Sequence, residues 1–115
     1  MTVEDTVGET HPRPNIPNNP TNPDDVIARL EGVLRSRRAE RPEGSYSARL
    51  FADPELVQRK VMEEAFETCL ELGRTPRSRD RLASEAADLV FHLLAGLASV
   101  EVPLEAVYAE LERRR

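Results

Sequence analysis

The 115-residue sequence carries 16 Lys and Arg against 21 Asp and Glu, a formal net charge of −5. That acidic balance excludes the basic face with which a general nucleic-acid binder neutralises phosphates, and the single cysteine, Cys69, excludes an internal disulfide framework or a cysteine-built zinc cluster and fits a reducing compartment. With 39% hydrophobic and 32% charged residues, no Trp, three Phe and two Tyr, the chain holds one modest domain, easier to build from helices than as a β-sandwich.

Residues 1–23 gather Pro12, Pro14, Pro17, Pro20 and Pro23 with Asn15, Asn18, Asn19 and Asn22, and have too little apolar surface to offset the entropy of ordering. This stretch is expected to be a disordered extension. Glu4, Asp5 and Glu9, with no apolar run among them, make it unlike a secretory signal. From Asp24 the pattern turns helical: Val26, Ile27, Leu30, Val33 and Leu34 recur at three- and four-residue spacing, predicting a helix capped by Asp24 and running to about Ala39. Pro42 and Gly44 break it, and Ser45 caps a short turn carrying Tyr46, Leu50 and Phe51. Asp53 before Pro54 starts a second long helix that Gly73 stops. Ser78 opens a third, to about Ser99, and Pro103 begins a last one ending in Arg113, Arg114 and Arg115. The longest apolar stretch, Leu89–Ala98, is interrupted by His92 and falls short of the roughly 20 residues of a membrane span. A soluble, cytoplasmic all-α domain over residues 24–115 is expected, with neither membrane nor nucleic acid as partner.

The chemistry sits on the two longest helices. At about 100° per residue, Lys60, Glu63, Glu64, Glu67 and Glu71 share one arc of about 100°. A solvated face would look similar, but Glu63 with Glu67 and Glu67 with Glu71 are like-charge pairs at four-residue spacing, each costing about 0.2–0.5 kcal/mol of helix stability. On the following helix Glu85, Asp88 and His92 share an arc of about 60° on a segment that is otherwise apolar all round, and so is expected to be buried on most sides. Carboxylates on a buried helix require a cation. It is either a basic side chain, with Lys60, Arg59 and Arg49 the candidates, or a metal ion held by Glu63, Glu64 or Glu67 together with Glu85 and Asp88, as facing helices of a bundle allow. All-oxygen ligation suits Mg²⁺ or Mn²⁺ and disfavours zinc. His92 is read as a ligand or, more simply, as a core group behind the acids.

These residues also carry a resemblance. KVMEEAFET at Lys60–Thr68, followed by EAADLVFHLL at Glu85–Leu94, resembles the K-x-x-E-E-x-x-E then E-x-x-D pattern of the all-α nucleoside-triphosphate pyrophosphohydrolases. PEGSYSARL at Pro42–Leu50 and the tail VPLEAVYAELERR narrow the likeness to the phosphoribosyl-ATP pyrophosphohydrolase family, over residues 24–115. Met62 stands where that family often has glycine, and Ser47 where it often has threonine. The resemblance implies Mg²⁺-dependent hydrolysis of phosphoribosyl-ATP to phosphoribosyl-AMP and pyrophosphate in histidine biosynthesis. It assigns metal binding to Glu63, Glu64, Glu67, Glu85 and Asp88; one glutamate of the set would be free to act as general base, with Glu63 and Glu64 the two candidates. Substrate contacts are expected at Lys60, Arg49 and Tyr46, while Arg35, Arg37 and Arg38 read as a solvated surface. A bundle of four to five helices this short, with one helix apolar on nearly every side, is expected to be completed by a second copy, which the resemblance also implies. House-cleaning hydrolysis of ordinary or damaged nucleoside triphosphates, and a helical interaction module without activity, are the alternatives.

Overall fold

The computed structural model describes residues 23–40 and 43–115, which form five helices and, among the described residues, no strand. The expected all-α class holds. The extension expected over residues 1–23 lies outside the described residues except for Pro23, which opens α1 (Pro23–Glu40). Asp24, expected as the cap, therefore falls inside the first turn, and proline takes the early helical place to which its fixed φ is suited.

The other starts follow local chemistry. Ser45 precedes α2 (Tyr46–Ala52) and accepts a bond from Ala48 N at 3.4 Å. Asp53 precedes α3 (Pro54–Leu72) and accepts from Leu56 N at 3.2 Å, with proline again in the first turn. Ser78 precedes α4 (Arg79–Ser99) and accepts from Arg81 N at 3.2 Å. Gly73 ends α3 by returning its N–H to the carbonyls of Cys69 and Leu70. At the end of α4, Glu101 N bonds Ala98 O and Val102 N bonds Leu97 O, a Schellman closure that puts Glu101 at a φ of 61°, in the left-handed region.

α3 and α4 pack antiparallel as the central pair, with α1 and α2 laid against one side. Leu34, Leu50, Phe51, Val57, Leu94 and Ala95 are the heart of the core, and burying each of the larger ones contributes about 1.5–3 kcal/mol. Gly96 lets the pair close up, since a Cβ there would stand 3.2 Å from Val57 Cγ1. α5 (Leu104–Arg114) docks through Leu104 and Val107.

α4 departs from expectation. Its composition predicts cover on most sides, yet Leu93 is 47% exposed, with Val90 and Val100 also open, because α1, α2 and α3 all lie toward its other faces. By length and composition alone this 21-residue helix could cross a bilayer. Core helices share that composition, and α4 lies along α3 with the Glu85 carboxylate directed to that partner.

The N-terminus of α5 is held from a distance. Pro103 has no side-chain cap to give, and Glu31 Oε2, from α1, accepts the Leu104 N–H at 2.7 Å across 73 residues of sequence. Replacing Glu31 with Ala removes that acceptor and is expected to cost about 1–2 kcal/mol, read as a lower Tm in thermal denaturation followed by circular dichroism. Glu31→Gln, which keeps a side-chain carbonyl, should lose less.

Candidate active site

Because α3 and α4 run antiparallel, their polar stripes meet in reverse order. Glu71, late in α3, faces Arg81, early in α4, at 3.6 Å. One turn along, Glu67 meets Glu85 within hydrogen-bonding reach. Further along, Glu64 feels the charge of Asp88 and lies near His92. One carboxylate oxygen from each of Glu64, Glu67 and Glu85 lies within 4.8 Å of the other two.

Few favourable contacts offset the cost of placing these acids together. Glu64 is 7% exposed and its Oε1 has no hydrogen-bond partner, nor have Oε1 of Glu85 and Oε1 of Glu71, of which only the last has a cation near it, Arg81 Nε at 3.6 Å. Burial pushes the Glu64 carboxyl above its ordinary range and the charges of Asp88 and Glu67 add to the shift, against the weaker opposing pull of Lys60 and, in acid where its ring is protonated, of His92. Glu85 is raised as well, by burial first and then by Glu67 and Asp88. A buried polar atom without a partner is rare enough to require a cause. The oxygen-only donor set, its spacing and its partnerless buried atoms all fit a hard divalent cation.

The remaining predicted residues lie around the trio. Glu63 is outside it, its Oε1 3.3 Å from Lys60 Nζ, while Lys60 is 3.7 Å from Glu64 Oε2. Asp88 is exposed beside the trio, acting on it through its charge. Among the described residues no ion pair reaches Glu85 or Asp88, so the basic side chains considered as their counter-ions do not serve: Lys60 is engaged on α3, and Arg49 lies over the Tyr46 ring at 5.6 Å from its centroid. α2 delivers Tyr46 to the far end of the stripe, where its hydroxyl is 2.7 Å from His92 Nε2.

Sequence reasoning missed two features. Glu71, noted only as part of the α3 arc, is buried and held by Arg74 at 3.1 Å as well as by Arg81, so the acid stripe ends in an arginine clamp. The signal was Arg81 standing one turn before Glu85. The Tyr46–His92 bond joins residues 46 apart, and nothing local announces it.

An all-α domain whose two longest helices face each other with converging carboxylates is the arrangement expected of the all-α nucleoside-triphosphate pyrophosphohydrolases. The family model for phosphoribosyl-ATP pyrophosphohydrolase matches residues 27–115. Proteins named phosphoribosyl-ATP pyrophosphatase are similar along most of their length. That of Dinoroseobacter shibae is 44% identical over 90 residues, 77% of this chain and 86% of the relative. That of Methylobacterium nodulans is 46% identical over 90 residues, 77% and 82% of the two chains, and that of Metallosphaera sedula 43% identical over 91 residues, 78% and 96%. The chain belongs to the phosphoribosyl-ATP pyrophosphohydrolase family.

The raised carboxyls set the sign of a pH effect. A glutamate whose folded pKa lies above its unfolded one supports the fold most when protonated, and that support is lost as pH rises through the folded value. Glu85→Gln removes the effect, so in chelator the variant should have the higher Tm at about pH 8, with the gap closing toward about pH 4.5. Adding a divalent cation should reverse the order, since a cation at 100 times its Kd adds about 2.7 kcal/mol to the protein that binds it. Differential scanning fluorimetry across pH reads both.

Proposed function

We propose that this chain hydrolyses phosphoribosyl-ATP to phosphoribosyl-AMP and pyrophosphate, a step of L-histidine biosynthesis, with Mg²⁺ as the working ion and Mn²⁺ as a substitute. The observation that supports this most is the converging carboxylate trio Glu64, Glu67 and Glu85, with the buried Oε1 atoms of Glu64 and Glu85 left without a hydrogen bond, in a chain of this family. These three would hold the cation, with Asp88 alongside. A bound divalent ion neutralises phosphoryl oxygens, orients the anhydride and lowers the pKa of water. The residues divide the remaining work. Glu63 and Glu64 are the candidate bases for the attacking water, and Glu63, outside the trio, is the one left to take its proton. Water adds at the α-phosphorus, the bond to the bridging oxygen breaks, and pyrophosphate leaves with that electron pair. Lys60 and Arg49 supply positive charge to the phosphate oxygens. An acidic protein thereby handles a polyanion, which agrees with a soluble, cytoplasmic enzyme that does not bind nucleic acid.

Pyrophosphate release from phosphoribosyl-ATP, dATP and dCTP, with and without Mg²⁺, tests this reading. Phosphoribosyl-ATP should be the preferred substrate, activity should require the ion, and Glu64→Gln should lower kcat by about 100-fold or more. Equal turnover of dATP and dCTP would shift the assignment to house-cleaning hydrolysis, and full activity in the variant would overturn the site.

The same reading includes a homodimer. Met62, Phe66 and Leu70 recur at four-residue spacing on α3, the first two 72% and 64% exposed, far more than an isolated core helix leaves open. A groove of about 440 Å³ lined by Val57, Met62, Gly96 and Val100 joins this row to the uncovered side of α4. A second copy would cover both. Phe66→Glu should leave helicity intact and convert a dimer to a monomer in light scattering at about 10 μM, because the side chain faces outward and its burial would then leave a charge unpaired.

A further inference from the structure

The ring of His92 is 6% exposed and fixed at both nitrogens. Nδ1 lies 2.8 Å from the backbone oxygen of Asp88, which can only accept, so Nδ1 carries the hydrogen. In the neutral ring Nε2 is then a bare acceptor, and the group 2.7 Å from it is the hydroxyl of Tyr46. Tyr46 therefore spends its only proton inward. Edge-on packing of His92 against both Tyr46 and Phe91 and the Arg49 guanidinium over the Tyr46 ring keep the phenol in place.

The oxygen of Tyr46, on a half-open side chain at the end of the carboxylate stripe, is left with lone pairs alone. Phosphate oxygens offer only acceptors, so a tyrosine in this state gives them nothing. The sugar and base of a nucleotide, in contrast, carry O–H and N–H donors. We propose that Tyr46 is a specificity contact that accepts a hydrogen bond from a sugar O–H or base N–H of the substrate, not a phosphate ligand, and that His92 is the positioning residue that enforces this. The proposal rests on the nucleotide-hydrolysing function given above and names the part of the substrate that Tyr46 reads.

Steady-state kinetics on the full-length protein with Mg²⁺ tests it. Tyr46→Phe should raise KM for phosphoribosyl-ATP by about 3- to 10-fold, the worth of one hydrogen bond, and leave kcat nearly unchanged. His92→Gln, whose amide oxygen reaches the place of Nε2, should stay close to wild type, whereas His92→Asn, which ends at the place of Nδ1, should raise KM as Tyr46→Phe does. The double variant Tyr46→Phe/His92→Asn should be no worse than either single one, because His92 acts through the tyrosine. Losses that multiply, or a KM untouched by Tyr46→Phe, would overturn the proposal. Phosphoribosyl-ATP built on 2′-deoxy- or 3′-deoxy-ATP identifies the donor: a substrate lacking the hydroxyl in question should no longer respond to Tyr46→Phe, and if both still respond the donor is elsewhere on the nucleoside. The pair is also readable without turnover. Nitrogen-15 NMR of the histidine rings at about pH 8 should show His92 as the Nδ1–H tautomer, with its Nε2 signal moving in Tyr46→Phe. An Nε2–H tautomer would overturn the proposal, while an enzyme inactive on phosphoribosyl-ATP that shows the expected tautomer would overturn the functional reading instead.

Discussion

The arrangement depends on one unfavourable contact. Glu64, Glu67 and Glu85 converge between two packed helices, Glu64 buried and Glu67 open to solvent, and no basic side chain among the described residues forms an ion pair with the α4 acids. The chain tolerates this because the core is elsewhere: Val57, Leu94 and Ala95, with Leu34 and Leu50 from the neighbouring helices, hold α3 and α4 together irrespective of what the acids do. Hydrophobic packing thus sets the separation of the carboxylates, and their repulsion is what a bound cation would relieve. Geometry precedes the ligand.

Around that contact the polar groups form a graded sequence. The Arg74–Glu71–Arg81 clamp closes one end of the stripe with compensated charge. The trio in the middle is under-compensated. The far end carries the cationic groups of Lys60 and Arg49 and the neutral phenol of Tyr46. On the proposed function, a polyphosphate laid along this stripe would meet its greatest need for a cation at the centre, beside the trio.

Much of this was legible in the sequence because it is local. Ser45, Asp53 with Pro54, and Ser78 are starting signals that act within four residues, and all three cap the helices they predict. The clustering of acids on each helix also follows from period alone. What period cannot supply is the register between helices. It could not tell that Glu64, Glu67 and Glu85 converge while Glu63 turns to Lys60 and Asp88 stands beside them, nor that Glu31 caps a helix 73 residues away or that His92 finds Tyr46. The open side of α4 was hidden for a related reason: an apolar surface announces that it requires a cover and says nothing about which chain provides it.

The crowding of roles on α3 has a consequence for how this protein can change. Lys60, Glu63, Glu64, Glu67 and Glu71 occupy one side of that helix, Val57 and Val61 a second, and Met62, Phe66 and Leu70 a third. Little of its circumference is left where a substitution would go unnoticed. α5, anchored at its first turn and otherwise open, has the opposite character. Sequence drift among relatives should therefore be slow along α3 and fast along the outer face of α5, and the pace of change from residue to residue would trace which sides of each helix are occupied.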